Sequence, residues 1–88
     1  MAPFKVGSRV TFVRTSHYLQ DHNCQGGGEN SLVGEGSELI VVDKAVAKTD
    51  FYDEHIKVRV VSNTSIERMR ATPGCEGWAP INDIVEMR

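Results

Sequence analysis

The stretch Glu76-Gly77-Trp78-Ala79-Pro80-Ile81-Asn82-Asp83-Ile84-Val85 decides the reading of the fold. It places a glycine, an aromatic and a proline before a polar pair and a closing apolar pair. Pro80 cannot donate to a strand ladder, so it belongs where a strand ends or lies at an edge. Ile81-Asn82-Asp83 then suits a tight 3₁₀ turn, after which Ile84 resumes pairing. A turn-plus-proline element of this kind closes a small barrel, with strand pieces at 77–79 and 84–87.

Working outward, the segment 55–62 alternates cleanly, with Ile56, Val58 and Val60 on one face and Lys57, Arg59 and Val61 on the other. Leu39-Ile40-Val41-Val42, within a strand predicted over 38–46, is an unbroken apolar run that suits a central strand. A first strand over 8–14 turns Val10 and Phe12 to one face. Between them the period breaks, and Gly26-Gly27-Gly28, Gly34 and Gly36 mark a long irregular segment over 15–37. Tyr18-Leu19 and Leu32-Val33 read as the arms of an irregular hairpin with the triple glycine at its tip. Residues 47–54 read as a charged connection. Thr64-Ser65-Ile66-Glu67 matches a capping box that starts one helical turn; the competing reading is a hairpin extension with Ile66 and Met69 folded over a barrel end. The predicted core is Val10, Phe12, Leu39, Val41, Ile56, Val58, Val60, Ala79 and Ile84. Ile40, Val13, Val42 and Val61 fall outside it, an apolar set that implies a homo-oligomer or cover by the glycine-rich loop.

These features together resemble SH3 domains. Gly77, Trp78, Pro80, Asn82 and Ile84 match the family's Gly-aromatic-apolar-Pro-x-Asn-x-Val stretch, and the long first loop stands where the family has its RT loop. The resemblance implies an all-β, five-stranded SH3-like barrel, one domain over 1–88. Carried over, Trp78, Pro80 and Asn82 match positions that face a proline-rich ligand. Asp83 stands where the family has a ligand-stacking tyrosine, and the Ala-Leu-Tyr-Asp-Tyr motif is missing from the first strand. The expected binding residues are Trp78, Pro80, Asn82, Tyr18, Tyr52, Asp21 and Glu54. Asp21, Glu29, Asp50, Asp53 and Glu54 lie on the loops of that face, so a protein partner with basic groups beside an apolar anchor is complementary. Gly7-Ser8-Arg9-Val10 also resembles the opening of small SH3-like accessory subunits of photosynthetic complexes, which implies a subunit role in a larger assembly. Plasmid-borne type II dihydrofolate reductases share size and fold, but their Val-Gln-Ile-Tyr stretch is absent.

Composition narrows the classes further. The chain has 88 residues, a formal net charge of -2 and 25% charged residues, so no global field draws nucleic acid or anionic lipid. A local basic stripe of Lys57, Arg59 and Arg70 supports the alternative of a nucleic-acid-binding, KOW-like barrel. No nucleophile elbow, His-Glu-x-x-His or acid-base pair is present, so no catalytic residue and no cofactor is expected. Gly26-Gly27-Gly28 lacks the lysine and the helix start of a phosphate loop. His17, His22, Cys24 and Cys75 lack paired ligand spacing, so no metal site is expected and the histidines read as solvated. Without a membrane-length apolar run or a signal-peptide pattern, the expected location is cytoplasmic. There Cys24 and Cys75 read as free thiols, with a disulfide between two long loops as the sharper alternative.

Overall fold

The computed structural model describes residues 4–13, 17–24, 30–47 and 54–87, with the backbone alone described for 44–47. The described strands are β1 (Arg9–Phe12), β2 (His17–Tyr18), β3 (Leu32–Val33), β4 (Glu38–Ala47), β5 (His55–Ser62), β6 (Glu76–Pro80) and β7 (Ile84–Glu86). A 3₁₀ turn, Ile81–Asp83, joins β6 to β7 where the proline-led stretch requires it. Five strands form an antiparallel sheet in the order β6-β5-β4-β1-β7, and β2 and β3 form a separate two-stranded hairpin. The fold is all-β, and the irregular segment between β1 and β4 is built on the two hairpin arms expected of it. Its glycine tip lies outside the described residues.

All nine predicted core residues are buried. Register explains how they meet: Val10 lies opposite Leu39, Leu39 opposite Val60, Val41 opposite Val58, Ile56 opposite Ala79 and Phe12 opposite Ile84. Each such side chain taken from water contributes on the order of 1.5–3 kcal/mol before chain entropy is counted. Leu19, Cys24, Val33, Ala71 and Cys75 complete the core from outside the main sheet. The hairpin, the stretch that follows β2 and the segment before β6 thereby bury side chains in the same core as the sheet.

Two irregularities shape the β4–β5 pair. Glu38 lies opposite Ser62 and Leu39 opposite Val60, which leaves Val61 as an extra residue on β5. Further on, Val41 pairs with Val58 but Val46 pairs with Ile56, so several residues of β4 span a single step of β5. Extra residues on one strand bend it and sharpen its twist, and β4 therefore turns sharply midway.

The segment between β5 and β6 departs from both expected forms. It makes turns rather than a helix, and Ile66 is 90% exposed instead of folded over the core. Thr64, which would open the capping box, is bonded outside the run. The Thr64 hydroxyl donates to the Glu35 carbonyl, and the Thr64 N–H donates to Ser37 Oγ. The centre of this region is Asn63, whose Nδ2 donates to the carbonyls of Leu32 and Ala71 at 2.8 and 2.9 Å. Its Oδ1 accepts from Gly34 N–H, Ser65 N–H and the Ser37 hydroxyl. One half-buried amide thus ties β3, the turn before β4 and the 69–71 segment together.

Candidate binding face

The expected binding residues can be placed along β6 and its neighbours. Gly77 and Ala79 are buried, so the alternate residues Glu76, Trp78 and Pro80 turn outward, each half-buried. Trp78 lies opposite Lys57 of β5 on one side. On the other it forms a bridge with Gln20: Trp78 N–H donates to the Gln20 carbonyl at 2.8 Å, and Gln20 N–H donates to the Trp78 carbonyl at 3.0 Å. Asn23 continues the contact, with its N–H donating to Glu76 O and its Oδ1 accepting from Glu76 N–H. The outer edge of β6 is thereby paired to residues 20–23.

That docking depends on Gly77. A Cβ there would stand 2.7 Å from Leu19 Cβ and 3.0 Å from His22 Cβ, closer than packed carbons come. Leu19 points inward, so Tyr18 and Gln20 on either side of it turn outward, Gln20 beside Trp78. Tyr18 is 41% exposed, and its hydroxyl donates to the Met69 sulfur. Pro80 lies opposite His55, and Asn82 is exposed in the 3₁₀ turn. Glu54 is exposed and its carbonyl accepts from Ile81 N–H at 3.0 Å, which sets it beside the same turn. Asp21 is exposed with φ of 46°, a left-handed corner just beyond the Gln20 bridge. Tyr52, Glu29, Asp50 and Asp53 lie outside the described residues.

His17 is not a solvated loop residue but lies half-buried in β2. His17 Nε2 lies 3.3 Å from Asp83 Oδ2, and its ring stacks at a tilt on Phe12 with centroids 4.9 Å apart. This contact sets the hairpin beside the 3₁₀ turn. The basic stripe is also altered by a neighbour the sequence pattern did not reveal. Glu76 Oε2 accepts from Arg59 Nε and Nη2 at 2.9 and 2.6 Å, and Glu76 Oε1 lies 4.0 Å from Lys57 Nζ. Arg70 turns back to donate to the Glu67 carbonyl. One carboxylate therefore offsets part of the charge a phosphate backbone would meet. A sequence signal existed in principle, since Glu76 follows the same alternation as Trp78, but the register that sets it opposite Arg59 is visible only in three dimensions.

The free-thiol expectation is overturned, because Cys24 and Cys75 form a disulfide with Cα atoms 4.8 Å apart. The cause is local: the Asn23–Glu76 hydrogen bonds draw the two chain segments together one residue away from each cysteine. Such bonds persist in oxidising compartments, which counts against the cytoplasmic expectation. Among the described residues, no helix is long and apolar enough to cross a membrane. A cleft of about 390 Å³ lined by Asn23, Cys24, Thr72, Pro73, Gly74 and Cys75 opens beside the bond. Compared with protein-family models, curated proteins and solved structures, the chain finds no match.

Proposed function

We propose that the sheet closes as an SH3-like barrel and that the chain is a non-enzymatic protein-binding module or small accessory subunit acting through the face around Trp78. The sharp bend of β4, the hairpin between β1 and β4, and the 3₁₀ turn leading into β7 support the barrel reading. The binding reading is carried by one observation. The Gln20–Trp78 bridge covers the edge of β6 beside Trp78 and Pro80, which share its half-buried outward face, while Tyr18, Asp21 and Glu54 are exposed on the neighbouring segments. Flat amphipathic rings supply contact area at low entropic cost, and flanking carboxylates favour basic groups on the partner.

The alternative, a nucleic-acid binder using Lys57, Arg59 and Arg70, is weakened by the pairing of Arg59 and Lys57 with Glu76. Trp78 is the chain's one tryptophan, so its fluorescence reports on the proposed face directly. Titration with proline-containing peptides that carry arginine or lysine is expected to shift the emission, with a shallow dependence on salt. Trp78→Ala and Tyr18→Ala are expected to abolish binding measured by calorimetry while leaving the sheet intact. Binding of an oligonucleotide instead, with affinity falling steeply as salt rises, would reverse the order of the two readings.

A further inference from the structure

We propose that His22, Cys24 and Cys75 form a redox-gated site for a thiophilic divalent cation such as zinc. The disulfide closes the site, and its reduction opens it. Three donor atoms, one from each residue, lie within 4.8 Å of one another. A tetrahedral zinc with two thiolates and one imidazole spaces its donors about 3.5–3.8 Å apart, given bond lengths near 2.3 and 2.0–2.1 Å. Small side-chain shifts therefore convert the present cluster into three corners of a tetrahedron. The cleft beside Thr72, Pro73 and Gly74 leaves room for a water or a partner's ligand at the fourth.

The scaffold that holds the donors does not depend on the covalent bond. His22 and Cys24 turn toward Cys75, while Asn23 between them grips Glu76 through both its backbone and its side chain. Cys24 N–H donates to His22 Nδ1 at 3.1 Å, which fixes the ring beside the sulfur. Cys75 is set from its own side by a turn in which its N–H donates to the Thr72 carbonyl, with Gly74 at φ of 93°. These bonds are expected to keep the three residues together after cleavage of the S–S bond, and a cation would take the imidazole lone pair in exchange for the Cys24 N–H bond.

The chemistry balances with a dithiol as reductant. Its two thiols supply two electrons and two protons, the Cys24–Cys75 bond breaks to two thiols, and the reductant becomes a disulfide. Binding of the cation then displaces both thiol protons to solvent. Two thiolates neutralise the divalent charge, so the centre as a whole is uncharged, which suits cysteines exposed by only 7% and 5%.

The test compares oxidised protein with protein reduced by a water-soluble phosphine and handled without oxygen. Cobalt(II) is the optical probe and zinc its competitor. Reduced wild type is expected to take up one equivalent of cobalt with a thiolate-to-metal charge-transfer band, zinc to displace it, and oxidised protein to take up none. His22→Ala, checked for folding in its oxidised form, should bind at least the roughly 10–100-fold more weakly that losing even an outer-shell partner costs. Cys75→Ser should lose the two-thiolate spectrum. Reduced, folded wild type that takes up no cobalt would overturn the proposal, as would His22→Ala binding with wild-type affinity. Should reduction alone unfold the chain, recovery of the native circular dichroism spectrum on adding zinc supports the site, and failure to recover it refutes it.

Discussion

Replacing Asn63 with alanine tests whether a polar hub, rather than a helix, organises the segment before β6. The change removes five hydrogen bonds, two donated by Nδ2 and three accepted by Oδ1. Two of the partners keep a second bond: Leu32 O still accepts from Ala71 N–H, and Ser37 Oγ still meets Thr64. Gly34 N–H, Ser65 N–H and Ala71 O are the groups that lose a bond with no second one in view. At roughly 1–1.5 kcal/mol for each, the expected cost is about 3–4 kcal/mol. A chain of this length has on the order of 4–13 kcal/mol in all, so the variant should stand close to its unfolding midpoint under mild conditions. Urea melts give the total, and hydrogen exchange at Gly34 gives the local effect. Asn63→Asp keeps the acceptor but aims lone pairs at the Leu32 and Ala71 carbonyls, so it should be no better than alanine. A loss below about 1 kcal/mol in Asn63→Ala, or near-native stability in Asn63→Asp, would refute the role given to this amide.

Further outcomes follow from packing and charge. Gly77→Ala should cost about 1–3 kcal/mol in thermal or urea melts, because the added carbon meets Leu19 and His22 in a core with little room to yield. Val58→Ala should cost on the order of 2–3 kcal/mol and Lys57→Ala under about 0.5, the first being fully buried and the second a partly exposed side chain 4.0 Å from Glu76. If Lys57→Ala were the more damaging, the two faces of β5 would have to be exchanged. The apolar set Val13, Ile40, Val42 and Val61 predicts either a homodimer or larger assembly at micromolar concentration, with Val42→Lys a folded monomer, or a monomer covered by the glycine-rich loop, with Val42→Lys destabilised at unchanged mass, as read by sedimentation and melts. A wild-type monomer that carries the lysine without loss of stability would end that reading.

The strands were legible where a single face is buried. Ile56, Val58 and Val60 alternate with Lys57 and Arg59, and β5 runs over the residues that this pattern marks. Pro80 and the following polar pair fixed the 3₁₀ turn by the same local logic, since a missing N–H and a tight turn are properties of a few adjacent residues. What escaped the sequence depends on register. A shift of one residue reverses which groups meet across a sheet, so neither the Val61 bulge nor the Arg59–Glu76 pair can be read from either strand alone. Thr64-Ser65-Ile66-Glu67 misled for a related reason. A hydroxyl at the start of such a run serves a helix only if no stronger partner is near, and here the Glu35 carbonyl and the Ser37 hydroxyl engage it.

The two candidate sites share one structural cause, and it is a small one. A residue larger than glycine at position 77 would hold Leu19 and His22 away from β6. With the side chain absent, residues 19–24 lie along that strand, and the same docking does two things. On the outer side it forms the Gln20–Trp78 bridge, which covers the edge of β6 beside Trp78. Further along it forms the Asn23–Glu76 bonds, which deliver Cys24 and His22 to Cys75. Opening the disulfide leaves the Asn23–Glu76 bonds to hold this segment against β6, so the proposed face is expected to persist in the reduced protein. If both proposals hold, about five residues of chain separate the cation ligands from the binding face, a span short enough that cation uptake by the reduced protein should alter peptide affinity, and an unchanged affinity would show the two to be independent.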